Sequence, residues 1–247
     1  MAGHSHSKNI ARRKGAADAV KGRVFNKLAR EIMVAAKLGM PDPASNPRLR
    51  SAIAAARVQN LPRERIERAI SNSQANDAAV YETIRYEGYG PGGVALIVET
   101  LTDNRNRTAS NVRSTFSKYG GAMGETNSVS FMFAHIGVVA YPETVDYDAL
   151  FETAVEAGAD DVVTAEGEHE VQTTLETFIP VRDALEEKFG QPVQAAMIWR
   201  PHNTVEPSAE QAETLLKLID ILEEDDDVQA VFGNYEISDE LAAKLDL

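Results

Sequence analysis

The chain has 247 residues, 43% of them hydrophobic and 26% charged, with a net charge of −13 and no cysteine. This is ordinary globular composition with room for one large or two to three small domains, and it excludes disulfides, thiolate metal sites and a cysteine nucleophile. No run approaches the roughly 18 apolar residues of a membrane span, and no apolar segment follows the basic start as it would in a secretory signal, so a cytoplasmic protein is expected.

The charge is unevenly spread. Residues 1–70 hold fifteen Lys and Arg against five Asp and Glu, a balance of +10, which leaves −23 for residues 71–247. Clustered cations are what neutralising phosphates requires, since each such contact releases condensed counterions. The first seventy residues therefore read as the working end.

Within that end, Lys8, Arg12, Arg13 and Lys14 form a basic arm, offset by Asp18 alone before the helical pattern begins. From about Lys21 to Lys37 the pattern is helical: Val24, Phe25, Leu28, Ile32, Ala35 and Ala36 recur at three- and four-residue steps. At about 100° per residue they form one apolar arc, with Arg23, Lys27, Arg30 and Lys37 on the other side. Reversing cations placed off the apolar arc is expected to leave the fold intact. Asn46-Pro47 announces a second helix to about Gln59, carrying Arg48 and Arg50. Leu61-Pro62 starts a third, to about Ser71, and the polar stretch 71–79 reads as a linker.

Beyond it the pattern turns to strands. Val80–Tyr86 and Val94–Leu101 are joined by EGYGPGG, a hairpin whose glycines supply positive φ. The turn satisfies G-x-G-x-x-G literally, but a strand follows where a dinucleotide fingerprint needs a helix, so no nucleotide site is expected. A helix over 105–119, capped by Asp103 or Asn104, and a strand at Val129–Phe133 come next. Residues 137–199 then read strand, helix, strand, strand, helix, strand, the βαββαβ order of a ferredoxin-like unit. A helix at 210–223 and a strand at 228–231 close the chain, and EEDDD at 223–227 reads as a solvated helix end. The expected fold is α+β: a small all-α domain (1–75), a discontinuous α/β domain (76–134 and 203–247) and an inserted ferredoxin-like domain (135–202). Residues 135–202 and 203–247 each carry −11, so both should face away from a phosphate backbone or meet basic protein.

His135, His169 and His202 lack neighbouring ligand pairs, and no P-loop, H-E-x-x-H or G-x-S-x-G occurs. No enzyme, cofactor, metal or small-molecule substrate is expected. Once Met1 is removed, Ala2-Gly3-His4 offers the square-planar nitrogen set that Cu(II) and Ni(II) favour, but the reading taken is a tail that contacts nucleic acid.

MAGHSHSKNIARRKG, KLAREI, NPRLR, IERAI, YEGYGPGGVALIVE, LTDNRNRT and SVSFMF together resemble the YebC/PmpR family over essentially the whole chain. The resemblance implies a three-domain regulator of transcription, with mitochondrial relatives that activate translation of cytochrome c oxidase, and no catalysis. Many members have Lys-Trp where this chain has His6-Ser7, and His where it has Arg12, so a stacking Trp is absent while charge is kept. The expected contacts with nucleic acid are Lys8, Arg12, Arg13, Lys14, Lys21, Arg23, Lys27, Arg30, Arg48 and Arg50. DNA is the first candidate target. RNA or the ribosome is the alternative, and a protein-interaction module working through the acidic domains is a further one.

Overall fold

The computed structural model describes residues 17–75 and 80–245, which fold as an α+β protein with an N-terminal helical region and two four-stranded antiparallel sheets. The described residues fall into two compact units, one made of 17–27, 80–134 and 199–245, the other of 28–75 and 135–198.

Three helices come first among the described residues: α1 (Ala17–Leu38), α2 (Pro47–Val58) and α3 (Arg63–Asn72). The turn between the first two is fixed by Asn46. Its Oδ1 accepts from the Leu49 N–H at 3.1 Å, and its Nδ2 donates to the carbonyls of Ala35 and Met40, both at 2.8 Å. A Cβ on Gly39 would stand 2.5 Å from that amide, so glycine is needed there. Ile32, Val34, Ala35, Ala36, Leu49, Ile53, Ala56 and Ile66 are buried, as the helical period requires. α3 runs two residues into the expected linker, through Asn72, and Ser73 closes it by donating to the Ile70 carbonyl.

The first unit carries the hairpin of β1 (Glu82–Tyr89) and β2 (Ala95–Thr102), then α4 (Arg105–Lys118) and the short β3 (Ala122–Met123). Its strands stand in the order β3-β1-β2-β8, where β8 is Val228–Gly233 and follows α7 (Ala209–Glu224). Val112 and Phe116 of α4 and Leu215, Leu218 and Leu222 of α7 pack on Leu96, Val98 and Val231. The other sheet face packs Ala95 and Ile97 against Val129 and Phe133, with Trp199 and Phe232 alongside. β2 is buried on both faces, which explains its unbroken ALIV. The strand expected at Val129–Phe133 is instead a 3-10 turn (Ser130–Met132) leading into β4 (Phe133–Pro142). Hydrogen bonds to a buried carboxylate, described below, hold that stretch off the sheet.

In the second unit the ferredoxin-like order appears: β4, α5 (Tyr147–Glu156), β5 (Asp161–Ala165), β6 (Glu168–Thr173), α6 (Phe178–Phe189) and β7 (Gln194–Pro201), arranged β5-β6-β4-β7. Leu150, Ala154, Val181 and Leu185 pack on Val139, Tyr141, Val162 and Val171. Arg182, 1% exposed, donates to the Ser51 hydroxyl at 2.9 Å and to the Asp183 carboxylate at 2.6 and 3.0 Å, tying α6 to α2. A last helix, α8 (Asp239–Lys244), has no counterpart in the sequence reading. No helix is long and apolar enough to cross a membrane, among the described residues.

Candidate nucleic-acid interface

The basic face of α1 is less open than its sequence period suggests. The helical period sets Lys27 clear of packed structure. Its Nζ instead donates to the Glu223 carbonyl at 2.7 Å, at the C-terminal end of α7. Burial lowers the Lys27 pKa, against the opposing pull of Glu223, Asp225 and Asp226. Burial likewise raises the Glu223 pKa, and Lys27 counteracts it. Arg23 sits 3.4 Å from the Glu224 carboxylate. The attraction is electrostatic: the negative end of the α7 dipole and the carboxylates of Glu223, Asp225 and Asp226 all favour a cation there. That acidic run is therefore more than a solvated end.

Lys21 remains exposed, with its ammonium 5.6 Å from the Phe25 ring centre, and Arg30 is half-buried. Arg48 binds Glu31 in a forked pair at 2.8 and 3.1 Å. Arg50 donates to the Pro43 and Ala44 carbonyls and lies 3.5 Å from Asp183. Lys8, Arg12, Arg13 and Lys14, with the Ala2-Gly3-His4 motif, lie outside the described residues. The expected contacts omit Arg57, Arg63, Arg65 and Arg68 of α2 and α3, all exposed. Their signal is present in RERIER, where cations alternate with buried or acidic positions around Ile66.

A second feature lies in the first unit. Glu87, 1% exposed on β1, accepts backbone N–H bonds from Asn127 at 3.1 Å, Val129 at 2.9 Å and Ser130 at 2.8 Å, and one from Arg85 Nε at 2.8 Å. Burial alone would raise its pKa, but these donors outweigh it and hold it below the usual carboxylate range. Arg85 also bonds the Asn127 side chain at 2.8 Å and lies 4.8 Å from the Trp199 ring centre. The loop so anchored presents Phe131, 72% exposed, while the Tyr89 hydroxyl reaches the Met132 sulfur at 4.0 Å. Beside Tyr89 the glycine-rich hairpin closes as expected. Gly92 and Gly93 take φ of 75° and 73°, and the Gly90 N–H bonds the Val94 carbonyl at 2.8 Å. β2 follows it, so no phosphate-cradling helix N-terminus is formed there.

The LTDNRNRT block is also structural. Asp227, at the start of β8, accepts from Thr102 at 3.1 Å, Thr108 at 2.8 Å and Arg107 at 2.6 Å, while Asn104 caps α4 through the Arg107 N–H. His169 is a satisfied core histidine. Its Nδ1 lies 2.7 Å from the Thr164 hydroxyl and its Nε2 lies 3.0 Å from the Val145 carbonyl. No group of three or more metal-ligating side chains gathers among the described residues.

Two family profiles match this chain. Residues 5–76 match the TACO1/YebC protein N-terminal domain, and residues 81–235 match the TACO1/YebC second and third domain, a profile named as a transcription regulator. The crystal structure of a conserved hypothetical protein, Aq1575 from Aquifex aeolicus, is similar at a TM-score of 0.80 and 43% identity, over 93% of this chain and 96% of that one. A helical N-terminal region, two antiparallel sheets and profile matches covering nearly the whole length agree, and the chain belongs to the TACO1/YebC family, a family with a regulatory role.

Proposed function

We propose that this chain is a non-enzymatic, cytoplasmic regulator of gene expression that binds nucleic acid through a basic helical domain, residues 1–75, with DNA as its first target. The discontinuous α/β domain (76–134 and 203–247) and the inserted domain (135–202) complete a three-domain arrangement that needs no cofactor, membrane or small-molecule substrate. The observation that carries this reading is the balance of +10 in residues 1–70 of a chain whose net charge is −13. The internal ion pairs of Arg23, Arg48 and Arg50 and the Lys27 hydrogen bond to the Glu223 carbonyl shift the weight of phosphate binding toward Lys8, Arg12, Arg13, Lys14 and Lys21. Replacing Arg12, Arg13, Lys14 and Lys21 with alanine should weaken binding to a DNA duplex. It should also flatten the plot of log affinity against log salt by about 0.9 for each phosphate no longer neutralised. A slope that does not move overturns the proposal.

An RNA target is the second reading, favoured by Phe131 and Tyr89 beside a loop that the Glu87 hydrogen bonds hold in place. Unpaired bases stack on such rings, and duplex bases do not. In-cell crosslinking followed by sequencing of both DNA and RNA separates the two. Promoter fragments support the first, and ribosomal or messenger RNA the second.

A further inference from the structure

One face of α5 carries more apolar surface than its sheet covers. Leu150 and Ala154 are fully buried, while Tyr147, Phe151 and Val155 are 40, 41 and 48% exposed. At about 100° per residue these five side chains form one continuous arc, whose inner half is buried on the sheet and whose outer half, at i, i+4 and i+8, stays partly exposed. Single exposed apolar side chains are common, but three in line on one helix are an interaction signature. The rings are already ordered. Tyr147 and Phe151 stack with centroids 5.9 Å apart and planes 27° apart, and Tyr147 meets the His169 ring edge-on at 5.4 Å. Little side-chain entropy then remains to be lost on docking.

The charges beside this stripe name its occupant. Asp148, Glu152 and Glu156 each follow one of the three apolar residues and make an exposed acidic row along its edge, with Asp146, Asp160 and Asp161 at the helix ends. Lys188 lies on the other flank of α5, bonded to Thr153 at 2.8 Å. A phosphate backbone would be repelled by this row, and so would the same face of a second copy. The geometry points to a docking surface for a basic amphipathic helix of another protein, with apolar anchors on Tyr147, Phe151 and Val155 and cations along Asp148, Glu152 and Glu156.

The probe is a fluorescein-labelled amphipathic helical peptide of leucine and lysine, compared with its leucine and glutamate counterpart, titrated against the full chain by fluorescence polarisation. The lysine peptide should bind and the glutamate peptide should not. Phe151→Ala should weaken binding about tenfold, the size of one buried anchor. Joint Asp148→Asn, Glu152→Gln and Glu156→Gln replacement, which touches no packed side chain, should do the same. Removing three exposed charges elsewhere (Glu206→Gln, Asp239→Asn, Glu240→Gln) should change affinity by less than about twofold. Absence of binding by the lysine peptide overturns the inference, and so does binding that Phe151→Ala leaves unmoved. Self-association of the free chain that Phe151→Ala abolishes also overturns it, because the stripe would then serve a second copy. None of these outcomes depends on the N-terminal cations, so the nucleic-acid reading stands or falls separately.

Discussion

At the scale of single residues, the molecule's most demanding group is the Glu87 carboxylate. A buried anion is tolerated only when its acceptor sites are filled, and here three backbone N–H groups and Arg85 fill them. Glu87→Gln keeps the shape but loses the charge and sets an amide NH2 against backbone donors. The expected cost is about 2–3 kcal/mol, read by chemical denaturation at neutral pH. The pH dependence follows from the lowered pKa. The folded state binds the Glu87 proton less readily than the unfolded chain, so its contribution is complete above the ordinary carboxylate range. It is lost as pH falls through the depressed folded value. Wild type should therefore lose more stability than Glu87→Gln on acidification, and equal losses would remove Glu87 from the explanation. None of this is legible in the sequence. Apart from Arg85, the partners of Glu87 lie 40 to 43 residues away and are backbone groups, which leave no mark on composition.

At the scale of elements, periodicity and capping carry most of the fold. Asn46-Pro47 and Asn104 mark two helix starts because the capping chemistry is local. The βαββαβ order of the insert follows from alternating apolar patterns of the right length. Local pattern misleads where a distant partner overrides it. SVSFMF alternates like a strand, yet Glu87 captures the Val129 and Ser130 N–H groups and turns the segment. Lys27 has the helical phase of a solvent cation, yet the end of α7 draws it in. Lys27→Glu should therefore place a carboxylate against a negative helix end and destabilise the fold by roughly 2 kcal/mol, whereas Lys27→Met should cost less than about 1 kcal/mol. Thermal unfolding of the two variants decides this, and equal stability would mean that the charge at position 27 does not matter to the end of α7. A charge reversal at Lys27 thus mixes folding with binding, and Lys21 is the cleaner position on α1.

At the scale of the whole molecule, the outstanding feature is the separation of charge between a basic beginning and two acidic stretches of −11 each. Such a distribution orients a polyanion during approach more than it strengthens the final complex. Neutralising exposed carboxylates of the acidic stretch 135–202, Glu143, Glu166, Glu176 and Glu187 to glutamine, should raise the association rate with DNA several-fold at low ionic strength. The difference should disappear near about 1 M salt, where screening acts within roughly 3 Å. Rates that do not respond would show that the acidic stretches play no part in steering. This partition is fully legible from the sequence, because net charge needs no knowledge of the fold. Which cations remain open to solvent is not, because ion pairing depends on tertiary structure.

The placement of β8 beside β2 has a consequence for synthesis. β2 is the most apolar strand of its sheet, and the neighbour that covers one of its edges arrives only with residues 228–233. At about 5–20 residues per second, the intervening stretch of roughly 125 residues takes on the order of 6–25 s to emerge from the ribosome. Throughout that interval ALIVETLT offers an unpaired edge to other nascent chains. The stretch between the two strands therefore acts as a clock. Production of this protein should depend on chaperone cover of the nascent chain, and fusing the β8 segment nearer to β2 would shorten the exposure.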